Sequence, residues 1–198
     1  MKHVSPKGGP SGHGDQQKKK IVEAAFALIA EHGFEGLRTR DIAARAEINI
    51  STFHYYFQTK EDLIRGVADK LTTDFQRQSE ALPPGSPRVE HVRHELTDML
   101  TLSRQNPTQY IVLFELCLRA FRNPELRPII DRMMSGWQDF LNSLMRSTGP
   151  NASAAENAVL AQALRTFSMG LGWSFLLARD SFPGPDLVDT VSGFFDKT

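Results

Sequence analysis

The sequence predicts an all-α protein of nine helices arranged in two domains, and two observations support this. Apolar residues recur at intervals of three and four along most of the chain, as Ile21, Ala25 and Leu28 do near its start. Signals that begin helices also repeat, because Asn106-Pro107 and Asn123-Pro124 each place a capping side chain before a proline. No segment shows the alternating pattern of a strand.

The predicted helices span residues 15–32, 39–46, 49–57, 59–81, 87–105, 108–122, 124–147, 153–180 and 185–196. Thr39, Asn49, Thr59 and Ser86 are predicted N-caps, in addition to the two asparagines above. The segment from Ser153 to Glu156 has the pattern of a capping box. We therefore expect each helix to begin at a specific hydrogen bond.

The chain divides into three predicted parts. Residues 1–14 are rich in Gly, Pro, Ser and His without apolar periodicity, which predicts a disordered basic tail. Residues 15–65 and 66–198 are then the two domains, connected through the long fourth helix. Gly33 is expected to end the first helix in the left-handed conformation.

Composition limits the classes of protein to consider. At 198 residues with 40% hydrophobic and 23% charged residues, the chain has the make-up of an ordinary globular protein. It has no apolar run long enough to span a membrane, no secretory signal pattern and a single cysteine. A cytoplasmic location is the expectation.

The formal net charge is zero, but the charges are unevenly distributed. Residues 1–70 carry eleven Lys and Arg against nine Asp and Glu, whereas the remainder is acidic. Because phosphate contact depends on local patches, a neutral total does not exclude nucleic acid as a partner. The asymmetry is small enough to be ordinary surface scatter as well.

Residues 39–60 predict a helix-turn-helix. Phe53 and Phe57 lie one turn apart on a helix too short to be stable alone, so this side must pack on neighbouring helices. The opposite side offers hydroxyls, a histidine and a tyrosine, with no acid to repel phosphate. That combination is typical of a helix that reads DNA bases.

Two sequence stretches carry a resemblance to a known family. IVEAAFALIAEHGFEGLRTRDIAARA and STFHYYFQTKEDLI, within residues 18–68, resemble the DNA-binding domain of the TetR/AcrR family of bacterial transcription regulators. FELCLRAFRNPELRPII, residues 114–130, resembles the second domain of part of that family more weakly. The resemblance implies a homodimer that binds palindromic operator double-stranded DNA, with an effector pocket in the second domain.

Two positions depart from the family pattern. Glu47 stands in the turn where the family usually has Gly. Either this non-glycine residue adopts positive φ at a cost of about 1 kcal/mol, or the turn has another shape. Ile50 stands where a polar or basic residue is usual, so it bears on the base preference. Ile50 is a candidate to pack on a thymine methyl group.

By resemblance, the DNA-binding residues are Thr39, Arg40, Asn49, Ile50, Ser51, Thr52, His54, Tyr55, Tyr56 and Lys60. Two of these have a plausible alternative, because Tyr56 could belong to the core and His54 could only line the helix surface. Candidates for the effector pocket are soft or aromatic residues that could equally be core: Phe114, Cys117, Phe121, Met133, Met134, Trp137, Phe167 and Leu171.

The last two helices are expected to form the dimer interface. The C-terminal half of the eighth helix is apolar nearly all round, more than one protomer's core can cover. The expected interface residues are Phe167, Leu171, Trp173, Phe175, Leu176 and Phe194.

No catalytic constellation is predicted. His91, His94 and Glu95 share a helix face but lack a further metal ligand, so a solvated face is the favoured interpretation. There is no phosphate-binding loop, nucleophile elbow or metallohydrolase motif. We expect no enzyme activity, no cofactor and no metal.

The function expected is a ligand-responsive transcriptional regulator, most simply a repressor released from its operator by a small apolar or aromatic effector. Two alternatives remain open. One is an activator that needs its ligand to bind DNA. The other is a small-molecule binding protein or enzyme with a vestigial DNA-binding head.

Overall fold

The computed structural model describes residues 11–78, 82–83, 85–148, 152–178, 182 and 184–196. These residues form nine α-helices and one short 3-10 turn, with no strand among them. The chain separates into two compact units, residues 1–67 and 68–198. The predicted all-α fold is confirmed.

The helices follow one another in the order that the sequence predicts. In the first unit and across the boundary they are α1 Ser11–His32, α2 Thr39–Arg45, α3 Ile50–Tyr56 and α4 Lys60–Gln78. The second unit continues with α5 Arg88–Gln105, α6 Pro107–Arg122, the 3-10 turn Pro124–Leu126, α7 Arg127–Thr148, α8 Ala154–Leu177 and α9 Gly184–Phe194. No helix in the described part of the chain is long and apolar enough to cross a membrane.

The first unit is built on the apolar stripe of α1. Ile21, Ala25 and Ile29 are fully buried, and Phe53 and Phe57 join the same unit's buried residues. Gly33 ends α1 at φ 65°, and its N–H donates to the Ile29 carbonyl at 2.8 Å. The left-handed helix end that the sequence predicts is confirmed.

Several predicted caps form. The Asn49 side chain accepts from the Thr52 N–H at 2.7 Å, and the Thr59 hydroxyl accepts from the Asp62 N–H at 3.0 Å. Ser153 and Glu156 form the full capping box at the start of α8. These local patterns fixed the starts of three helices.

Other predicted helix starts are wrong. α1 begins at Ser11 rather than at residue 15, since no proline separates Ser11 from the buried stripe. Residues 1–10 of the predicted tail lie outside the described residues. Thr39 is the first residue of α2 and Arg38 occupies the cap position, with Asp41 supplying negative charge in the first turn.

Two further caps predicted in the second unit do not form. Ser86 is not the cap of α5, because its hydroxyl donates to the Pro83 carbonyl at 3.0 Å and Pro87 takes the cap position. Asn106 occupies the N-cap position of α6, but its side chain makes no capping hydrogen bond. The same residue is also the C-cap of α5, so its backbone belongs to the ends of both helices. Asn123 caps the 3-10 turn instead of an α-helix, and α7 begins only at Arg127.

The second unit is organised around α8, which packs against α5 and α7. Leu96, Leu141 and Leu164, one from each helix, are fully buried in a shared core. Gly172 of α8 makes room for Tyr110 of α6, because a Cβ at this glycine would lie 2.3 Å from the tyrosine Cε1 atom. A helix-interior glycine is thus used for close packing.

Candidate DNA-reading surface and effector cavity

The start of α3 is fixed by one side chain. The Asn49 Oδ1 atom accepts from the Thr52 backbone N–H at 2.7 Å and from the hydroxyls of Ser51 and Thr52 at 2.7 and 2.8 Å. This network leaves the Asn49 amide N–H groups available to a base edge or a phosphate. The cap therefore orders the residues at the tip of α3.

The outward face of α3 is apolar and aromatic as well as polar. Tyr55 is 78% exposed and Ile50 is 43% exposed, while Phe53 and Phe57 are buried. The rings of Phe53 and exposed His54 pack edge to face with their centroids 5.4 Å apart. The rings of Tyr55 and Tyr56 pack in the same geometry with a centroid separation of 5.0 Å. The packing of these rings gives the outer side chains defined directions.

The turn between α2 and α3 has a strained residue. Glu47 has φ 55°, and it is the only non-glycine residue in the described part of the chain with positive φ. Its N–H still donates to the Ala44 carbonyl at 3.2 Å, and the Ile48 N–H donates to the Ala43 carbonyl at 3.0 Å. Of the two outcomes weighed from the sequence, the strained glycine-like turn is the one observed.

Cationic side chains precede and follow α3, the candidate DNA-reading helix, along the chain. Arg38 and Arg40 at the start of α2, and Lys60 at the start of α4, are all exposed. Arg45 differs from these three cations because it is already paired. Its guanidinium donates two hydrogen bonds of 2.6 Å to the Glu31 carboxylate. The Arg45 hydrogen bond lowers the pKa of Glu31, so this pair stays ionised and joins α1 to α2.

The ten predicted DNA-binding residues lie on α2, on α3 or at the start of α4. Seven are exposed: Arg40, Asn49, Ile50, Ser51, His54, Tyr55 and Lys60. Thr39, Thr52 and Tyr56 are half-buried. Arg38, which is not among the ten, is exposed at the cap position of α2 next to Thr39.

The second unit contains a cavity of about 1080 Å³. Its wall combines α4, α5 and α7 with smaller contributions from other segments. The lining residues on which the argument below depends are Phe75, His91, His94, Glu95, Asp98, Met99, Met133, Met134, Trp137 and Phe140. This volume is at the upper end of the range typical of small-molecule sites.

Three of the eight predicted pocket residues line this cavity: Met133, Met134 and Trp137. The other five lie elsewhere. Leu171 belongs to the core and Phe121 is 83% exposed at the end of α6. Phe114 packs against Trp173 at 4.9 Å, Phe167 is 40% exposed, and half-buried Cys117 has a thiol whose pKa is raised by burial.

Sequence reasoning missed the contribution of α5. His91, His94 and Glu95 were assigned to a solvated helix face, and that interpretation is wrong, since all three line the cavity. The available signal was periodicity, because Asp98 and Leu102 continue the same face at helical spacing. No group of three metal-ligating side chains is arranged to hold an ion among the residues described.

Glu95 is the most deeply buried acid of the cavity, at 8% exposure. The Trp137 indole N–H donates to its Oε1 atom at 3.4 Å. Desolvation raises the pKa of Glu95, and the neighbouring Asp98 adds to the rise, whereas the Trp137 hydrogen bond and His94 oppose it. The site therefore disfavours a negative charge unless a cation accompanies it.

The C-terminal half of α8 and the end of α9 expose apolar side chains. Of the predicted interface residues, Phe167, Trp173 and Phe194 are between 40% and 61% exposed. Leu171 and Phe175 are buried in their own protomer's core, and Leu176 is half-buried. Leu177, which is not among the six expected interface residues, is 71% exposed and extends the apolar face.

Both units match family models. The model described as "Bacterial regulatory proteins, tetR family" matches residues 21–67. The model described as "Tetracyclin repressor-like, C-terminal domain" matches residues 87–196, which is more than half of the chain. The chain belongs to the TetR family of bacterial transcriptional regulators.

Known proteins similar to this TetR-family regulator include named repressors. It is 22% identical over 186 residues to the nicotine-responsive transcriptional repressor HdnoR of Paenarthrobacter nicotinovorans, covering 91% of this chain and 95% of the relative. It is 39% identical over 110 residues to the transcriptional dual regulator CecR of Shigella flexneri, covering 56% of this chain and 43% of that protein.

Solved structures share the fold of this TetR-family regulator. A transcriptional regulator from Saccharomonospora viridis in complex with choline superimposes with a TM-score of 0.72 at 21% sequence identity. The match covers 92% of this chain and 96% of that one. The family resemblance noted in the sequence is confirmed over both units of the chain, and it identifies a DNA-binding transcriptional regulator.

Proposed function

We propose that this regulator is a homodimeric repressor that leaves a palindromic operator when a small effector with an apolar or aromatic body enters the second unit. The observation that carries the proposal is that one chain combines an exposed, acid-free reading helix with a cavity of about 1080 Å³. The names of two similar proteins, one responsive to nicotine and one holding choline, support the ligand response.

In this proposal residues 15–65 bind DNA, and residues 66–198 bind the effector and dimerise. Asn49, Ile50 and Ser51 meet base edges at the tip of α3, with Ile50 packing on a thymine methyl group. Thr52, His54, Tyr55 and Tyr56 contact the groove wall, and Thr39, Arg40 and Lys60 contact the phosphates. We add Arg38 to the phosphate contacts because it is exposed beside Thr39.

The helix α4 is the proposed route of coupling. It begins at Lys60, a proposed phosphate contact, and it continues to Phe75, which lines the cavity. An effector that moves the α4 end at the cavity changes the spacing of the two reading helices in the dimer. Half-sites of a helix-turn-helix dimer lie about 34–36 Å apart, so operator affinity is sensitive to this spacing.

The mechanism is tested by measuring both binding equilibria on the same protein. Operator DNA is first selected from a randomised palindromic library, and its dissociation constant is then measured with and without effector. Thermodynamic linkage requires that operator DNA weaken effector binding by the same factor as effector weakens operator binding. Equal effector affinity for free and DNA-bound protein would refute the proposal, and tighter operator binding with effector would identify an activator.

The assignment of Lys60 is tested by salt dependence. Lys60→Ala in both protomers is expected to reduce the slope of log affinity against log salt by about 2, since each phosphate contact contributes about 0.9. Arg132→Ala, an exposed residue of α7, is the matched control and is expected to leave the slope unchanged. An unchanged slope in Lys60→Ala would contradict the phosphate contact, and a vestigial head would show no loss of affinity at all.

A further inference from the structure

The ionisable side chains that line the cavity, among the residues described, are two acids and two histidines. Glu95 and Asp98 both line it, and the described lining residues include no Lys or Arg. The possible internal counter-charges are His91 and His94, and His94 Nε2 lies 3.4 Å from Asp98 Oδ2. The cavity thus holds two acids and no permanent cation among the described residues.

Glu95 is the acid with the least compensation. Its residue is 8% exposed, and its single hydrogen-bond partner among the described residues is the Trp137 indole at the long distance of 3.4 Å. A buried carboxylate needs several donors or a counter-ion to offset the loss of hydration. Glu95 therefore lacks a counter-ion among the described residues.

Aromatic rings surround the same space. Trp137 and Phe140 of α7 and Phe75 of α4 all line the cavity, together with Met99, Met133 and Met134. The faces of aromatic rings attract cations, and most strongly those that have lost their water. Methionines adapt to irregular apolar shapes, so they suit the hydrocarbon part of a ligand.

On the basis of the proposed function, we propose that the effector is an organic cation, an amine or quaternary ammonium whose nitrogen lies beside Glu95 and Trp137 and whose apolar or aromatic body packs on the α7 side. An anion would meet two carboxylates, with His91 and His94 as the possible basic groups among the described lining residues. A neutral molecule would bring no counter-charge to Glu95. Among the described lining residues no permanent cation balances these acids, and a cationic ligand supplies that charge.

The raised pKa of Glu95 agrees with this assignment. In the empty cavity, burial favours the neutral carboxyl, and a bound cation favours the ionised form. Cation binding is then linked to proton release from this group. Asp98, His91 and His94 face the same space.

The test is calorimetric titration of the full-length protein with three probes of similar shape and different charge. They are benzyltrimethylammonium, its neutral carbon isostere neopentylbenzene, and the anion 3-phenylpropionate. We expect the cation to bind about tenfold more tightly than the neutral isostere, as a desolvated cation-aromatic contact and a buried ion pair together require. The anion is expected to bind most weakly.

Variants assign the preference to a residue. Glu95→Gln keeps the size of the side chain and its acceptor for Trp137, and it is expected to remove most of the tenfold preference while changing neopentylbenzene affinity little. Glu90→Gln is the matched control, because Glu90 is exposed on the same helix and does not line the cavity. A preference that survives in Glu95→Gln would overturn the role of this carboxylate.

The wild-type series decides the inference even if the variant does not fold. Equal affinity for the cation and its neutral isostere, preference for the anion, or no binding of the cation would each overturn it. These titrations contain no DNA, so they are independent of the test of repression. Cation binding without operator release would refute the proposed function and leave the ligand class intact.

Discussion

At the scale of single residues, the left-handed backbone of Glu47 carries a cost. With φ at 55°, Glu47→Gly is expected to raise the free energy of unfolding by about 0.5–1 kcal/mol, because glycine adopts this conformation without a Cβ clash. Chemical denaturation followed by circular dichroism measures the change.

The matched control for Glu47 is Ala44→Gly. Ala44 is exposed within α2, where glycine is expected to lower stability by about 1 kcal/mol. If both variants are destabilised alike, the turn gains nothing from positive-φ freedom, and the strain argument fails.

Glu95 gives the unliganded protein a specific dependence on pH. Because burial raises its folded pKa above the ordinary value of 4.5, the unfolded chain ionises first as the pH rises, and stability falls from there up to the folded pKa. Glu95→Gln lacks this loss. Its unfolding free energy relative to wild type is therefore expected to increase as the pH rises above 4.5.

The measurement is urea denaturation at a series of pH values without effector. Glu90→Gln serves as the control, since Glu90 is exposed on the same helix. Asp98, His91 and His94 are present in all three proteins, so the comparison measures the effect of the Glu95 carboxyl together with its coupling to Asp98 and His94. A Glu95→Gln profile parallel to wild type would contradict the burial argument.

The sequence was sufficient for residues whose role is local. Phe53, Phe57 and the Asn49 cap follow from helical spacing and a capping preference that operate within a few positions. Leu171 and Phe121 could not be assigned in this way, because one apolar pattern serves core, cavity and exposed surface alike. Glu95 was misjudged because polarity alone suggests solvent, whereas neighbouring helices decide its burial.

At the scale of helices, the contact between α6 and α8 depends on a missing side chain. Gly172→Ala would place a Cβ 2.3 Å from the Tyr110 ring, and we expect the overpacking to cost about 1–3 kcal/mol. Thermal and chemical denaturation of the purified variant measure this cost.

Gly136→Ala on α7 is the matched control for Gly172. A Cβ at Gly136 would have no neighbour within 4 Å, so alanine is expected to stabilise the helix by up to about 1 kcal/mol. Opposite signs for the two substitutions would establish close packing as the reason for Gly172. Two stabilised variants would show that Tyr110 yields at no cost.

Helix identity was easier to predict than helix ends. The nine helices follow from apolar periodicity sustained over many residues, which averages out single exceptions. Their ends depend on single hydrogen bonds, as at Ser86, where the hydroxyl bonds backward into the preceding turn. A capping residue in the sequence is therefore a necessary condition for the cap and not a sufficient one.

At the scale of the whole molecule, dimerisation is expected to depend on the apolar face of α8 and α9. Phe194→Asp introduces a charge at a side chain that is 61% exposed in the single protomer, and we expect the dimer dissociation constant to rise at least about tenfold. Sedimentation equilibrium measures it.

Ser135→Asp adds the same charge at an exposed position of α7 and is expected to leave the dimer intact. Operator affinity should fall with Phe194→Asp at protein concentrations below the new dissociation constant, since two half-sites then no longer act together. A Phe194→Asp protein that remains a dimer would exclude Phe194 from the interface.

The ionisable and the aromatic side chains of the cavity come from different helices, and this has a practical consequence. Its acids and histidines all come from the 18-residue α5, whereas its aromatic rings come from α4 and α7. Charge recognition can thus be rewritten on one short segment while the hydrophobic half of the cavity is retained. With an organic cation as effector, as proposed above, a biosensor library would need to randomise only positions 91, 94, 95 and 98 to change the preferred ligand.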